Sequence, residues 1–437
     1  CRILGKIGDF KRISRSLLPL SEKLSGDPAW RIDALLAQTE IYAKNSEEQV
    51  SQLAMSREAL QISQRLGDQH RVTRSLMRQA NLLQGLKDPA WRDVAEQALA
   101  LTRELGDLRS EVDLLLTIGR SYGLDDLQRS RETLQEALQR SELLNDKALE
   151  YNLLRALGQV SESEGDYYRQ LIEYEQKALA ISREIGSRIY EARSLMDIGM
   201  VQGQYLGDLE AGLAFEQESL RVLEGQHGRL LTYLRIGQMQ TQLGLFDEAR
   251  HSFDQVQPLA VKAFFELGRA GLELGRAILA NAIGDKESLE QVFYHTYLIH
   301  QMTDNNLINR QYQMAASCEE SAAHLRLSDL TKTSEPEIAQ HHREKALEIS
   351  QNALTAYHSY GFVRTVECTS EMILYRHGMA LLANGMEQEG AEYIRMAAAE
   401  TERKHALIPE GSSFRTTYLD LPLHQQIHKT AKGLKKR

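Results

Sequence analysis

The chain has 437 residues, 42% of them hydrophobic, 26% charged and 6% aromatic, with a formal net charge of −9. That balance suits a helical protein long enough for two or three ordinary domains, and its acidic sign argues against direct nucleic-acid binding by the surface as a whole. No stretch approaches the ~20 apolar residues of a membrane span, and no signal peptide precedes the first helix.

Three cysteines, Cys1, Cys318 and Cys368, are odd in number and far apart, a usage expected of a reduced, cytoplasmic protein without a disulfide framework. The sequence starts at Cys1 without a Met, which reads as part of a longer protein whose preceding portion carries an output domain.

In chain order, one phrase recurs: Ser56–Asp68, Ala95–Asp107, Leu134–Asp146 and Glu175–Ser187 align so that Ala59, Ala98, Ala137 and Ala178 fall at steps of 39, 39 and 41 residues. A period near 40 is that of one helical hairpin. Gly67-Asp68, Gly106-Asp107, Asn145-Asp146, Gly165-Asp166 and Gly207-Asp208 punctuate it. A glycine or asparagine can close one helix in the left-handed conformation while the aspartate caps the next. Second helices are predicted at 11–24, 46–66, 90–105, 127–144, 168–185 and 208–224, and first helices at 29–44, 70–86, 109–122, 148–163, 188–205 and 228–243.

Both tryptophans sit in the string Asp-Pro-Ala-Trp-Arg, beginning at Asp27 and Asp88, 61 residues apart. That is one and a half periods, so the match reflects capping chemistry and not a duplicated site. Within the first helices a small residue recurs at Ala80, Gly119, Gly158, Gly199 and Gly237. A glycine inside a helix costs ~1 kcal/mol relative to alanine, so glycines in register imply close helix packing.

These motifs resemble the tetratricopeptide repeat. Tyr233, Ile236, Gly237, Ala249 and Phe253 follow its pattern best, with the turn Gly244-Leu-Phe-Asp-Glu-Ala249. The long unit resembles arrays in large bacterial signalling ATPases and LuxR-type ATP-binding regulators, and the segment Phe414–Ile427 resembles the segment that closes such arrays. The resemblance implies an all-α, right-handed superhelical solenoid of antiparallel helix hairpins. Regular hairpins are expected over 1–257. Pro258 is expected to interrupt a second helix, opening an irregular region over 258–335 with long helices near 263–283, 286–302 and 305–327 and a loop from Ser328 to Glu335. Further hairpins are expected over 336–411, with helices at 346–360, 365–384 and 387–405, then a single capping helix and basic tail over 412–437.

Catalytic motifs are absent. The chain contains no phosphate-gripping Gly-Lys loop, nucleophile elbow or zinc-binding His-Glu-x-x-His, so no cofactor or metal is expected and the chain is read as a non-enzyme. The resemblance places first helices on a concave face, which directs Asn81, Arg120, Gln159, Met200 and Gln238 into the groove. It places Arg155 there from the position three earlier, and Arg74, Asn152 and Arg193 from six earlier, with Asp113 the one acid. Arginine forks bind carboxylates, amides pair with peptide backbone and methionine adapts to varied shapes.

The resulting expectation is a binding module, the sensor or scaffold part of a larger bacterial signalling or regulatory protein, gripping a protein or peptide partner that carries an acidic segment. One alternative is an enzyme with a site in 263–345, where His295, His300, Glu320, His324 and His341 would converge. The other is a structural scaffold that self-associates into a homo-oligomer.

Overall fold

The computed structural model describes residues 27–40, 46–123, 126–223, 226–263, 266–302, 307–360 and 368–434, and these form helices and turns with no strand among them. The predicted helix at 11–24 and the charged end Lys435–Arg437 lie outside the described residues. The chain divides into two compact units, Cys1–Leu157 and Gly158–Arg437.

The first unit contains α1 (Pro28–Thr39), α2 (Ser46–Leu66), α3 (Gln69–Gly85), α4 (Trp91–Leu105), α5 (Leu108–Tyr122), α6 (Leu127–Glu142) and the start of α7 (Lys147–Glu164). The turns follow from their punctuation. Gly106 takes φ 65° and Asn145 φ 50°, while Asp107 and Asp146 accept from the backbone N–H groups of Ser110 and Leu149. The repeated tryptophan string caps only the first of its two helices: Asp27 is the N-cap of α1 and accepts from Ala29 N at 2.9 Å, whereas Asp88 accepts from Ala90 N at 3.0 Å within a turn and the N-cap of α4 is Ala90, without a side-chain bond; Trp30 is 57% exposed and Trp91 8%. Trp91 packs in a core with Leu53, Ala80 and Ile118. Gly119 lets its hairpin close, since a methyl there would come within 2.7 Å of Leu134 Cγ.

The second unit opens on the end of α7, followed by α8, a helix made of Tyr167–Arg169, a π-helical stretch Gln170–Glu175 and Gln176–Glu184. The 41-residue step of the repeat spans this π stretch, whose wider turn takes up an extra residue. α9 (Arg188–Gly199) runs on into a second π stretch, Met200–Tyr205. Then come α10 (Leu209–Val222), α11 (Gln226–Gln242), α12 (Phe246–Ala263), α13 (Glu266–Ile283), α14 (Lys286–His300), α15 (Leu307–Thr331), α16 (Pro336–Tyr360), α17 (Ser370–Ala383), α18 (Glu387–Ala406), α19 (Phe414–Asp420) and α20 (Pro422–Leu434).

Three local expectations are corrected. Pro258 does not interrupt α12: the missing donor costs ~3 kcal/mol, but Val256 and Ala260 on either side are 0% and 9% exposed and pack in the core of that hairpin, which holds the helix through. The loop predicted from Ser328 is helical as far as Thr331, because Ser328 and Thr331 are buried and the Thr331 hydroxyl bonds back to the Leu327 carbonyl. Lastly, 412–434 is not one helix. Leu421, ahead of Pro422, is pushed out of the helical region to ψ 133°, which breaks the segment into α19 and α20.

That break matters because the segment returns to the start of its own unit. The Thr417 hydroxyl donates to the Leu206 carbonyl at 2.6 Å, Arg403 donates to the Glu164 carbonyl at 3.1 Å, and Phe414 meets Tyr168 edge-on. Tyr167, Leu171, Leu206, Ile408, Tyr418 and Leu421 share one buried cluster. Within this unit the hairpins therefore form a closed circuit of contacts.

Candidate functional site

Inside that circuit lies a cavity of about 700 Å³, within the range that small-molecule ligands fill. Its wall draws on the ends of α9, α11 and α13, the length of α15 and α17, and the returning α19 and α20. One side is aromatic: Tyr167 and Tyr205 stack with centroids 4.1 Å apart and planes within 2°. The second π stretch positions Gln204 and Tyr205 there, and the Tyr205 hydroxyl is anchored on Glu162 at 2.9 Å.

Beside the stack sits a buried charge cluster. Glu371, 1% exposed, receives Lys404 Nζ at 2.7 Å and faces His424 Nε2 at 3.4 Å, while His424 Nδ1 donates to the Tyr418 carbonyl at 2.7 Å. Burial alone would raise the Glu371 pKa, but Lys404 and His424 outweigh it and hold the carboxyl well below its ordinary range. For Lys404 burial works downward and the Glu371 charge prevails, so its pKa rises. Burial pushes Tyr167 up to about 12, against the pull of Lys404.

Five further polar atoms on the wall are unsatisfied. Gln204 Oε1, Asn281 Oδ1, Thr369 Oγ1, Arg376 Nε and Tyr418 Oη are buried and have no hydrogen-bond partner among the described residues. A buried polar atom left unpaired costs roughly 1–3 kcal/mol, and natural proteins seldom carry several around one cavity. The arrangement offers hydrogen bonds to a molecule of suitable shape.

The residues singled out in the sequence lie elsewhere. In the first unit Arg74 and Asn81 are exposed, with Arg74 paired to Asp33 at 2.8 Å. Exposed Arg120 donates to the Asn152 carbonyl at 3.3 Å, Asn152 bonds back to Ala148 O, and Arg155 lies over the Tyr151 ring. In the second unit Gln159 and Arg193 are exposed. Met200 and Gln238 are not open to a partner: Met200 is 7% exposed within the Tyr167–Tyr205 core, and Gln238, 3% exposed, accepts from Gln204 at 2.9 Å.

His295, His300 and His324 have separate partners, Glu273, Glu320 and His342, while His341 is exposed. No group of three His, Cys, Asp or Glu among the described residues is disposed to hold a metal. The cavity residues went unnoticed because they are scattered from Tyr167 to Gln426; the one local signal was the closing segment that contains Tyr418 and His424.

The fold is an all-α helical repeat of the tetratricopeptide type, and its second unit walls a half-open cavity with both apolar and polar lining. No family model and no curated protein matches the chain. Among solved structures it is similar to a tetratricopeptide repeat protein from Parabacteroides merdae, at 18% identity over 72% of this chain and 98% of that one, with a TM-score of 0.38. It is also similar to a signal transduction ATPase with numerous domains that has a tetratricopeptide repeat sensor, from Pyrococcus horikoshii, at 13% identity over 90% of this chain and 66% of that one, with a TM-score of 0.39. Yeast Tom70 is similar at 12% identity over 97% and 96%, with a TM-score of 0.35. These likenesses concern the helical-hairpin architecture alone. Among the described residues no helix is long and apolar enough to cross a membrane.

Proposed function

We propose that this chain is a binding module, the sensor or scaffold part of a larger signalling or regulatory protein, and that the cavity of its second unit is where an effector binds. The observation that carries this reading is the set of buried, unpartnered polar atoms around one cavity. A ligand supplying their hydrogen bonds removes a standing desolvation cost and bridges helices far apart in sequence. It thereby stabilises the closed circuit over any opened arrangement, which couples occupancy to shape.

The same reading extends to a partner protein on the exposed polar face of the first unit, where Arg74, Asn81, Arg120, Asn152 and Arg155 would take an acidic segment. Against that, Arg74 is already paired with Asp33.

The test is a thermal-shift panel of amino acids, short peptides, sugars, nucleotides and carboxylates on the wild type and on Met379→Trp, which places an indole in the cavity. A compound at about 100 Kd is expected to stabilise the wild type by roughly 3 kcal/mol, and to leave Met379→Trp unshifted. A panel in which every active compound shifts both proteins equally contradicts the cavity as the site.

A further inference from the structure

The unsatisfied atoms are sorted by chemistry around the cavity. Gln204 Oε1 and Asn281 Oδ1, at the ends of α9 and α13, accept only. Arg376 Nε on α17 donates only, and the hydroxyls of Thr369 and Tyr418, on the α17–α19 side, can donate with it. Unpaired acceptors and unpaired donors therefore line one and the same cavity.

The charges sort likewise. Arg376 has no carboxylate partner among the described residues; its recorded contact is with the face of Tyr375, 5.9 Å from the ring centroid. The nearby acids are committed: Glu371 to Lys404, and Glu319 to the Asn281 amide at 2.6 Å. Thr369 occupies the N-cap of the 14-residue α17 but makes no capping bond with its side chain, so its hydroxyl is available at the positive end of a helix dipole. The charged groups on the wall are Arg326, Arg376, Glu319, Asp329 and Glu371, and Glu371 is compensated by Lys404, which does not itself line the cavity. A site that combines an unpaired guanidinium N–H with a pair of unpaired carbonyl oxygens fits a ligand that carries both charges. A bare anion would leave the carbonyl oxygens unpaired, and a sugar would leave Arg376 uncompensated.

Resting on the cavity as ligand site, we propose that it takes a zwitterion of the amino-acid class, a short peptide with free termini. Its carboxylate meets Arg376 and Thr369, its ammonium meets Asn281 and Gln204, and its apolar side chains lie against the Tyr167–Tyr205 stack and Met372.

Calorimetric titration of the full chain with L-leucyl-L-leucine, its N-acetyl form and its C-terminal amide tests this. The free dipeptide binds, and blocking either terminus weakens binding by about tenfold or more, as loss of a charge-assisted contact does. Arg376→Gln weakens the free dipeptide by a similar factor but leaves the amide unchanged, because the amide has already lost that contact; unchanged melting of the variant shows that the fold is intact. Equal binding of free and blocked forms, or no binding of any of them, overturns the zwitterion. If another panel compound binds the wild type and not Met379→Trp while the dipeptides stay inert, the cavity remains the ligand site and only the ligand class falls.

Discussion

The hydroxyl of Thr417 donates to the carbonyl of Leu206 at 2.6 Å, across 211 residues of sequence. Gly207, the next residue, has φ 84° and lies so close to the Thr417 carbonyl that a methyl group there would collide with it. Here the returning segment closes the second unit. Gly207→Ala combines a left-handed backbone with an unavoidable clash and is expected to cost roughly 3 kcal/mol or more. Gly244→Ala is the control: its φ is 76° but nothing lies within 4 Å of the added methyl, so ~1–2 kcal/mol is expected. Urea denaturation of the two variants measures the difference.

Lys404 and Glu371 should behave as one unit. Lys404→Met leaves a carboxylate uncompensated in the interior and is expected to cost about 3–5 kcal/mol, whereas Lys404→Met with Glu371→Gln recovers part of the loss. The Glu371 pKa is lowered on folding, so its contribution is present above about 4.5 and is lost as pH falls below that value. Thermal melts from pH 6 to 3 should show a fall in the wild type that Glu371→Gln reduces.

Glu216 should do the reverse. Buried with neither carboxylate oxygen hydrogen-bonded, and with Arg235 no nearer than 3.6 Å, it is pushed by burial up to about 8. The folded state then holds a proton that the unfolded chain releases, so the contribution of Glu216 is greatest below about 4.5 and is lost as pH rises to about 8, at ~1.4 kcal/mol per pH unit at most. Glu216→Gln is expected to flatten that slope. Denaturant titrations at pH 5, 6, 7 and 8 give the comparison.

Phe253 is gripped between two glycines: a methyl on Gly237 or on Gly275 would each come within 2.6 Å of its ring. Gly237→Ala is expected to cost roughly 1–3 kcal/mol through overpacking. Combined with Phe253→Leu it should show a favourable coupling of ~1 kcal/mol, because the smaller side chain makes room for the added methyl. A double-mutant cycle on urea unfolding reads this directly.

The array was legible because a hairpin writes its own boundaries. The predicted helix at 46–66 coincides with Ser46–Leu66, since caps, turns and small residues act within a few positions of where they stand. The Pro258 region was misread for the opposite reason: a local penalty was outweighed by packing from Val256 and Ala260, which no single position announces. The cavity was illegible. Gln204, Asn281, Arg376 and Tyr418 occupy different repeats at no common offset, and closure depends on contacts such as Arg403 with the Glu164 carbonyl, 239 residues apart. Met200 and Gln238 were assigned to an open face by repeat register alone, and the π stretch at Met200 alters that register locally.

The central claim is that one cavity, formed by segments remote in sequence, is where the effector binds. Amide hydrogen exchange, with and without the panel compound giving the largest thermal shift, tests it most directly. Protection should appear together in 200–206, 369–376 and 418–424, and should vanish in Met379→Trp. Protection confined to the first unit, or spread evenly over all helices, would contradict the account.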